Sequence, residues 1–239
     1  MPAIQSAAHP CGACAFFATS VWLPVRDGMV SLLGQSLTRR EYKAGEVVFE
    51  QGSPHRGVHC VSRGIIAVRA LGEGGRSTLL RLAYPGDLVG FRAFLRNRPH
   101  RTEARALVAS RICTVQRNEA NVVVGGSPLV HDRLVKRCID EIDASQEKIV
   151  AAATGSSRLR LIQLLLRLLA AHGAPCDGQI KARLPLSRRD MAEMLGVQPE
   201  TMSRLFRRLK EDHLVAISGR NMMVSSLSAL TAAAAETNA

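Results

Sequence analysis

The sequence predicts an α+β protein: a region of short strands, then one long helix, then a helix-turn-helix followed by a two-stranded hairpin. Three observations predict this class. Short β-prone runs alternate with turns from Val30 to about Val124, apolar residues follow a period near 3.5 after Pro128, and two capped amphipathic segments lie between Leu186 and His213. With 239 residues, 46% of them hydrophobic, the chain is long enough for one large domain or two ordinary ones.

The N-terminal segment, residues 1–29, is expected to be irregular and carries the motif Cys11-Gly12-Ala13-Cys14. A Cys-x-x-Cys pair can hold one edge of an iron–sulfur cluster, bind a metal or form a disulfide. Two ordinary thiols in a tail are the alternative. Because no second Cys-x-x-Cys follows, a zinc knuckle made of cysteines alone is disfavoured. Six cysteines in a chain expected to be cytoplasmic indicate thiols, metal ligands or redox sensors rather than a disulfide frame.

Residues 30–126 are predicted to form a sandwich or barrel, since short strands and glycine-bearing turns alternate there. The expected strands are Glu46–Phe49, Gly57–Val61, Ile65–Ala70, Ser77–Leu82, Leu107–Val108 and Ile112–Gln116.

Residues 127–153 are predicted to form one long helix. Side chains that step by four and three form a seam with a period typical of coiled coils: Leu134, Cys138, Ile142, Ser145 and Ile149. A helix packed on its own strands is the alternative. A seam that includes a cysteine and a serine predicts a weak coiled coil, which a few kcal/mol from a sensor could shift.

Residues 154–239 are predicted to begin with a hinge at Thr154–Ser157, followed by an apolar helix from Arg158 to His172. A short strand is expected at Ile180–Leu186. A helix-turn-helix then follows. Its first helix has an N-cap at Ser187 with the acid Asp190 three positions on, and it ends at Gly196; Gln198-Pro199 opens the second helix. Strands at Leu214–Ile217 and Met222–Val224 form a hairpin beside the helices, and a short helix follows from Ser226.

The second helix of this motif has side chains suited to nucleobases. Glu200, Ser203 and Arg204 share one face; arginine can donate two hydrogen bonds to guanine, and glutamate can accept one from cytosine. These three are the predicted base-contacting residues. The predicted phosphate contacts are Ser187, Arg188, Arg189, Thr201, Arg207 and Arg208. A formal net charge of +12 favours a polyanion, although a basic surface also suits a membrane or solubility. A capped helix pair with a solvated basic face is the alternative.

The stretch MAEMLGVQPETMSRLFRRLKEDHLVAISGR resembles the winged helix-turn-helix of the CRP/FNR family of bacterial transcription regulators. GEVVFEQGSPHRGVHCVSRGIIAVRA, followed by YPGDLVGF, resembles the family's cyclic-nucleotide-binding-type β-roll, a jelly roll. The pattern E-x-x-S-R at Glu200, Ser203 and Arg204 is similar to the FNR branch, whose half-site is of the TTGAT type. The resemblance implies a homodimer joined by the long helix, with double-stranded DNA and RNA polymerase as partners.

The resemblance also bears on cyclic nucleotides. The family's nucleotide pocket uses a glutamate for the ribose hydroxyl and an Arg-Ser or Arg-Thr pair for the cyclic phosphate. Arg101-Thr102 match the phosphate pair, but Phe91 stands in the place of the glutamate. A buried hydroxyl left unpaired costs about 1–3 kcal/mol. A cyclic nucleotide is therefore not expected to be the ligand.

The same resemblance implies an iron–sulfur site. Cys11 and Cys14 match two of the three N-terminal cluster ligands of FNR, and Cys113 matches the distal one, but Ser20 stands where the third N-terminal cysteine would be. A 4Fe-4S cluster normally takes four thiolates. Ser20, His9, Cys60, an external thiol or solvent could supply the fourth ligand, although a strand cysteine such as Cys60 also suits a small buried hydrophobe.

Oxygen sensing through a cluster, thiol oxidation and another effector all stay open as the signal. FNR has an acidic residue near Ser145 that opposes pairing without the cluster, and its absence here puts that particular switch in doubt. An enzyme, in particular a thiol oxidoreductase, is disfavoured because no βαβ pattern surrounds Cys11 and no Ser/His/Asp set or phosphate loop occurs. Since no apolar run reaches about 18 residues and no secretion signal is evident, no membrane partner and a cytoplasmic location are expected.

Overall fold

A computed structural model of the chain describes residues 9–25, 27–72, 74, 76–176 and 179–236. The chain divides into two compact units, Met1–Ile142 and Asp143–Ala239. The first unit contains two antiparallel sheets and several helices, and the second contains a small sheet among helices. The predicted α+β class is therefore confirmed.

The described strands of the first unit form two four-stranded sheets, with strand orders β1-β8-β3-β6 and β2-β7-β4-β5. The strands are β1 (Leu37–Tyr42), β2 (Val47–Phe49), β3 (Gly57–Arg63), β4 (Ile66–Leu71), β5 (Ser77–Ala83), β6 (Leu88–Val89), β7 (Glu103–Ala106) and β8 (Ser110–Gln116). Apolar side chains from both sheets share one core: Tyr42, Val61, Val89 and Ile112 from one, and Phe49, Ile66, Val68, Ala83, Ala104 and Ala106 from the other. This two-layered arrangement is the predicted roll.

The prediction of a strand at Leu107–Val108 was wrong. The preceding strand, β7, ends at Ala106, and Leu107 and Val108 belong to a bend that leads into β8. The bend is held by Ser110, whose hydroxyl donates to the Val108 carbonyl oxygen at 2.8 Å and accepts from the Ile65 amide at 3.2 Å. The aliphatic side chains of Leu107 and Val108 are typical of a strand, but the hydrogen bonds of Ser110 hold this segment in a bend.

The outer face of the sheet β1-β8-β3-β6 is covered by the N-terminal segment and by helices. These are α1 (Asp27–Ser36), α2 (Phe91–Arg96), α3 (Arg117–Gly126) and the first half of α4 (Pro128–Thr154), together with a short 3-10 turn at Phe17–Thr19. Their apolar side chains meet Val58, Leu88 and Val115 of the sheet in a second core: Val21, Trp22, Val25, Val30, Leu33, Phe91, Phe94, Ala120, Val123, Val130 and Leu134. The predicted roll therefore carries a helical layer that the strand pattern did not indicate.

The helix α4 packs one side on this second core. Leu134 is fully buried there, and Cys138 packs against the same residues. These two positions of the predicted dimer seam therefore lie inside their own unit. Of the large apolar side chains that α4 exposes, four form a different stripe, which starts one residue after Leu134: Val135, Ile139, Ile142 and Ile149. Val150 lies beside this stripe, and Leu129 is exposed in the first turn of the helix. The sequence pattern merged two apolar faces of one helix, because the helix must cover its own sheet as well.

The second unit continues from α4 with α5 (Ser157–His172), β9 (Gly173–Cys176), β10 (Gln179–Arg183), α6 (Arg188–Leu195), α7 (Pro199–Glu211), β11 (Ala216–Ser218), β12 (Asn221–Val224) and α8 (Leu227–Glu236). The Ser156 hydroxyl caps α5 by accepting from the Leu159 amide at 3.1 Å. The strands form one antiparallel sheet in the order β11-β12-β10-β9. The strand β9 was not predicted, because its sequence Gly-Ala-Pro-Cys resembles a helix stop rather than a strand. No helix in the described ranges is both long and apolar enough to cross a bilayer.

Candidate nucleic-acid interface and cysteine group

The first helix of the predicted motif, α6, begins with a complete capping box. The Ser187 hydroxyl accepts a hydrogen bond from the Asp190 amide at 3.1 Å, and the Asp190 carboxylate accepts one from the Ser187 amide at 2.7 Å. The helix ends at Gly196, whose φ of 64° is in the left-handed region. Both ends of α6 are therefore fixed by the residues that the sequence singled out.

The second helix, α7, starts with Pro199 in its first turn and buries its apolar side. Met202 and Leu209 are fully buried, and Leu205 and Phe206 are nearly so. The opposite side exposes all three predicted base-contacting residues, Glu200, Ser203 and Arg204. A buried apolar stripe therefore fixes the rotation of α7 and presents these three side chains outward together.

The three exposed residues differ in what they can still bind. The Ser203 hydroxyl donates to the Pro199 carbonyl oxygen at 3.0 Å, so that it offers an outside partner mainly its acceptor lone pairs. Among the described residues, none makes a hydrogen bond or an ion pair with the side chain of Glu200 or Arg204. The Arg204 guanidinium therefore has all its donors available, and Glu200 has its acceptors available.

The predicted phosphate-contacting residues surround this face in several environments. Arg188, Arg189, Arg207 and Arg208 are exposed, whereas Ser187 and Thr201 are partly buried. The Arg188 guanidinium lies over the Phe206 ring at 5.3 Å, which limits its motion. Arg189 pairs with Glu193 at 3.2 Å, and Arg207 approaches Glu211 at 3.8 Å. Exposed pairs of this kind are weak, so these arginines can exchange their partners for phosphates.

A residue that the sequence reasoning missed lies at the tip of the hairpin. The strands β11 and β12 are joined by Gly219, with φ of 59°, and the exposed Arg220. The Arg220 carbonyl oxygen accepts from the Leu184 amide at 2.8 Å, which holds the turn to the rest of the sheet. The available signal in the sequence was an arginine between the two predicted hairpin strands.

The cysteine group lies in the first unit, on the outer face of the sheet β1-β8-β3-β6. Cys60 in β3 is paired directly with Cys113 in β8, and both are partly buried. Opposed residues of an antiparallel pair project to the same face. Cys60 packs against the second core, as does Cys11 of the N-terminal segment.

The N-terminal segment is held over this face by polar contacts. The Arg39 guanidinium donates to the Pro10 carbonyl oxygen at 2.7 Å, and Arg39 is itself the β1 partner of Cys113. The His9 ring accepts from the Cys11 amide at Nδ1, at 3.1 Å, and therefore donates from Nε2 to the Trp22 carbonyl oxygen at 3.1 Å. These bonds hold the start of the Cys-x-x-Cys motif to Arg39, the β1 partner of Cys113.

Two thiols of this group, Cys11 and Cys60, have raised pKa values. Burial raises the pKa of Cys11 to about 11, and ionised Cys113 and Cys14 thiols nearby raise it further. Burial raises the pKa of Cys60 to about 12, and Cys11, Cys113 and Cys14 also contribute, while the Trp22 indole N–H opposes the shift. Cys11 and Cys60 are therefore protonated at neutral pH. The sequence left open whether Cys60 is a ligand or only a small buried side chain. In the structure it lies in a group of four neighbouring thiols.

The donor set consists of thiols, which are the ligands that iron–sulfur clusters take. In the described part of the chain, no three His, Cys, Asp or Glu side chains converge on one point where an ion could be held. A 4Fe-4S cluster is larger than one ion and takes thiolates spread around it. The indole Nε1 of Trp22 is buried without a hydrogen-bond partner. A sulfur-rich group beside Cys60 would provide an acceptor for it.

Two other fourth-ligand candidates are engaged elsewhere. Both ring nitrogens of His9 make hydrogen bonds, and burial lowers the pKa of that imidazole. The Ser20 hydroxyl accepts from the Trp22 amide at 3.2 Å, and the Ser20 carbonyl oxygen accepts from Arg133. His9 therefore has no unused ring nitrogen, and Ser20 offers a hydroxyl oxygen rather than the thiolate that iron–sulfur clusters normally take.

Aromatic and imidazole rings pack against one another in the interior of the roll. The Phe49 and His100 rings stack with centroids 3.8 Å apart, and His59 lies 5.5 Å from Phe49. A Cβ at Gly90 would come within 3.2 Å of all three rings. Burial lowers the pKa of His59 and of His100 to about 4, with neighbouring histidines adding to both shifts. Phe91, at the position of the family's glutamate, is buried in the second core.

Two family models match the chain, and together they cover more than half of it. The model described as a cyclic nucleotide-binding domain matches residues 39–124. The model described as a Crp-like helix-turn-helix domain matches residues 159–233. The first match spans the roll, and the second spans the unit that contains α6 and α7.

Curated proteins and solved structures are similar to nearly the whole chain. Regulatory protein HlyX of Actinobacillus pleuropneumoniae is 26% identical over 193 residues, which are 81% of this chain and 80% of that protein. Transcriptional activator protein FnrL of Cereibacter sphaeroides is 29% identical over 224 residues, or 90% and 88% of the two chains. The structure of FixK2 from Bradyrhizobium japonicum superposes with a TM-score of 0.71 at 22% identity, covering 85% of this chain and 98% of that one.

Proposed function

Since the chain belongs to the CRP/FNR family of bacterial transcription regulators, we propose that it binds a TTGAT-type palindrome as a homodimer and that its cysteine group makes this binding depend on oxygen or redox state. The family membership accounts for a regulator with a DNA-binding helix-turn-helix. The half-site, the oligomer and the signal are the parts proposed, and each rests on particular residues.

The observation that carries the DNA-binding proposal is the exposed face of α7. Arg204 and Glu200 are exposed and unpaired among the described residues, while the buried stripe on the other side fixes their direction. Arg204 donates hydrogen bonds to a guanine on either strand, and Glu200 accepts one from the amino group of a cytosine. Ser203 contributes an acceptor because its proton is already used within the helix.

Charge around this face supports the duplex contact. Four exposed arginines donate to phosphates: Arg188, Arg189, Arg207 and Arg208. Ser187 and Thr201 add phosphate contacts at the starts of α6 and α7. Arg220 at the hairpin tip adds a further phosphate contact. With DNA as its target the protein acts in the cytoplasm, and the activator names among its relatives are the ground for RNA polymerase as a second partner.

The exposed stripe of α4 supports a homodimer. Val135, Ile139, Ile142 and Ile149 follow the spacing of a coiled-coil seam and are 38–68% exposed in the single chain. Two copies that pair through this stripe place two recognition helices on half-sites about one helical turn apart. Leu134 and Cys138 support the helix from within and take no part in the pairing.

The cysteine group supports a redox signal carried by a 4Fe-4S cluster on Cys11, Cys14 and Cys113. Such a cluster, when bound, supplies reactivity toward oxygen that the protein side chains lack. Direct oxidation of the thiols is the weaker candidate. Attack requires a thiolate, and the raised pKa values of Cys11 and Cys60 keep these two thiols almost entirely protonated at neutral pH.

The roll is not proposed to bind a cyclic nucleotide. Phe91 stands at the position of the ribose-binding glutamate and is buried in the second core. Inside the roll, the rings of Phe49, His59 and His100 crowd around Gly90. With Phe91 in place of the glutamate, a ribose hydroxyl has no carboxylate acceptor at that position.

Binding titrations of Arg204→Ala and Arg207→Ala test the proposal. Duplexes with intact and altered TTGAT half-sites are compared by gel shift at one salt concentration. Arg204→Ala is expected to lose roughly 1–3 kcal/mol on the intact site and little on the altered one, whereas Arg207→Ala loses affinity for both equally. Equal losses on the two duplexes for Arg204→Ala would refute its contact with bases.

A further inference from the structure

Three cysteines match the cluster-binding pattern and the fourth position of that pattern holds Ser20. We propose that Cys60 supplies the missing thiolate, so that an iron–sulfur centre is held by Cys11 and Cys14 of the N-terminal segment and by Cys60 and Cys113 of the sheet. This inference rests on the proposed redox function. It assigns a ligand from the middle of the roll in place of one from the N-terminal segment.

The strand register carries the first step. Cys60 and Cys113 are direct partners between β3 and β8, and Val58 and Val115 are the partners two residues along. Both valines are fully buried in the second core, on the outer face of the sheet. Since side chains alternate along a strand, Cys60 and Cys113 project to this same face.

The opposite face confirms the direction of the side chains. His59 and Thr114 are the next pair in the register, and their side chains share a hydrogen bond of 2.8 Å. His59 stacks with Phe49, which belongs to the core between the two sheets. The two cysteines therefore lie side by side on the outer surface of the sheet, beneath the N-terminal segment.

The N-terminal segment brings the other two thiols to this surface. Arg39 lies opposite Cys113 on the β1 side and holds the Pro10 carbonyl oxygen at 2.7 Å. Cys11, the next residue, packs on the same core as Cys60. The Cys14 amide donates to the Cys11 carbonyl oxygen at 2.8 Å, so a tight turn keeps the second thiol of the motif close to the first.

A buried polar atom without a partner lies beside the group. The Trp22 side chain is 0% exposed, and its Nε1 has no hydrogen-bond partner. Trp22 belongs to the core against which Cys60 packs, so this N–H lies in the same part of the molecule as the Cys60 thiol. N–H groups directed at cluster sulfurs are one means by which proteins tune iron–sulfur centres. Trp22 is therefore placed to donate to a sulfur of the bound centre.

The remaining cysteine of this unit provides a matched control. Cys138 in α4 packs on the same core as Cys60 and is also partly buried. Burial raises its pKa, as does Glu141, and none of the four grouped thiols contributes to the shift. A Cys138→Ser change therefore removes a thiol from the same core without removing one from the proposed centre.

Anaerobic reconstitution with ferrous iron and sulfide tests the assignment on the full chain. Wild type, Cys60→Ser, Cys138→Ser and Ser20→Ala are compared for iron and sulfide per chain and for absorbance near 400 nm. We expect about four irons per chain for wild type, Cys138→Ser and Ser20→Ala, and a loss of at least half the iron in Cys60→Ser, in line with four thiolates per cluster. Full iron in Cys60→Ser, or its loss in Ser20→Ala, overturns the assignment.

A second readout does not depend on a variant. Reconstituted wild type and iron-free wild type are each treated anaerobically with an alkylating reagent, at a urea concentration that leaves the absorbance of the reconstituted protein near 400 nm intact, and modified cysteines are mapped by mass spectrometry. Cys60 is expected to gain protection together with Cys11, Cys14 and Cys113, while Cys138 reacts equally in both samples. Equal modification of Cys60 in both samples contradicts the assignment, even if Cys60→Ser fails to fold. A wild type that takes up no iron refutes the proposed sensor itself, and DNA binding is then measured separately.

Discussion

Cys60 lies directly opposite Cys113 in the antiparallel pair of β3 and β8, on the face of the sheet that the N-terminal segment covers. The same segment is held to that sheet by Arg39, the other strand neighbour of Cys113. A change at these thiols would therefore act on contacts between the segment, the sheet and the core that supports α4. The sensing chemistry is thus proposed on the outside of the roll, while aliphatic side chains and aromatic rings fill its interior.

Removing the cap of α6 is expected to destabilise the helix-turn-helix. In Ser187→Ala the Asp190 amide loses its acceptor, which costs about 1 kcal/mol in the free energy of unfolding. Chemical denaturation of this variant is compared with that of Ser225→Ala, an exposed serine outside the helices. Equal stability of Ser187→Ala and wild type would mean that the capping box contributes nothing measurable.

Charge on the exposed stripe of α4 is expected to weaken self-association. Ile139→Lys places an ammonium in the proposed seam, whereas Ala144→Lys places one on an exposed position outside it. Sedimentation equilibrium should give a higher dimer dissociation constant, by at least tenfold, for Ile139→Lys alone. A similar constant for both variants contradicts the assignment of the seam.

Leu134 separates folding from pairing. Because this side chain is fully buried in the second core, Leu134→Ala is expected to lower the free energy of unfolding by about 2–5 kcal/mol. The measurement is urea denaturation, performed at several protein concentrations so that the contribution of dimerisation can be subtracted. A variant with normal folding stability and a weakened dimer would restore Leu134 to the seam.

Acid is expected to destabilise the roll through its buried histidines. The pKa of His59 is about 4 in the folded chain against 6.5 for an ordinary histidine. Between these values the unfolded chain binds more protons, so stability is complete above about pH 6.5 and falls as the pH drops toward 4, by roughly 3 kcal/mol for this residue. Unfolding free energies at pH 7 and pH 5 measure the loss.

The variant His100→Phe isolates one part of that pH dependence. It retains the stacking on Phe49 and removes an imidazole whose pKa is also lowered to about 4 by burial. The difference in stability between pH 7 and pH 5 should shrink relative to wild type. An unchanged or larger difference would show that His100 is not held neutral by its surroundings.

The features fixed by local chemistry were predictable from the sequence. Ser187, Asp190, Gly196 and Pro199 specify the ends of α6 and α7 within a few residues, and glycine-bearing turns separate most strands of the roll. The short helices α1, α2 and α3 were missed, because their apolar residues face a sheet formed by distant parts of the chain. Long-range packing, not propensity, decides such elements.

The same limit explains the seam and the cysteine group. Both faces of α4 are apolar, and only the position of the sheet reveals that Leu134 points inward while Ile139 points outward. Similarly, Cys60 has no motif spacing to Cys11 or Cys14, and its neighbour Cys113 is more than fifty positions away. Strand pairing brings them together, and no local pattern contains the register.

Fluorescence anisotropy of wild-type protein on two duplexes tests the central claim most directly. One duplex carries two TTGAT-type half-sites about one helical turn apart, and the other has the same composition with both half-sites scrambled. At moderate salt the anaerobically prepared dimer should bind the intact palindrome about 10³-fold or more tightly than the scrambled one. Equal affinity for the two duplexes, or none for either, would contradict base recognition by Glu200, Ser203 and Arg204.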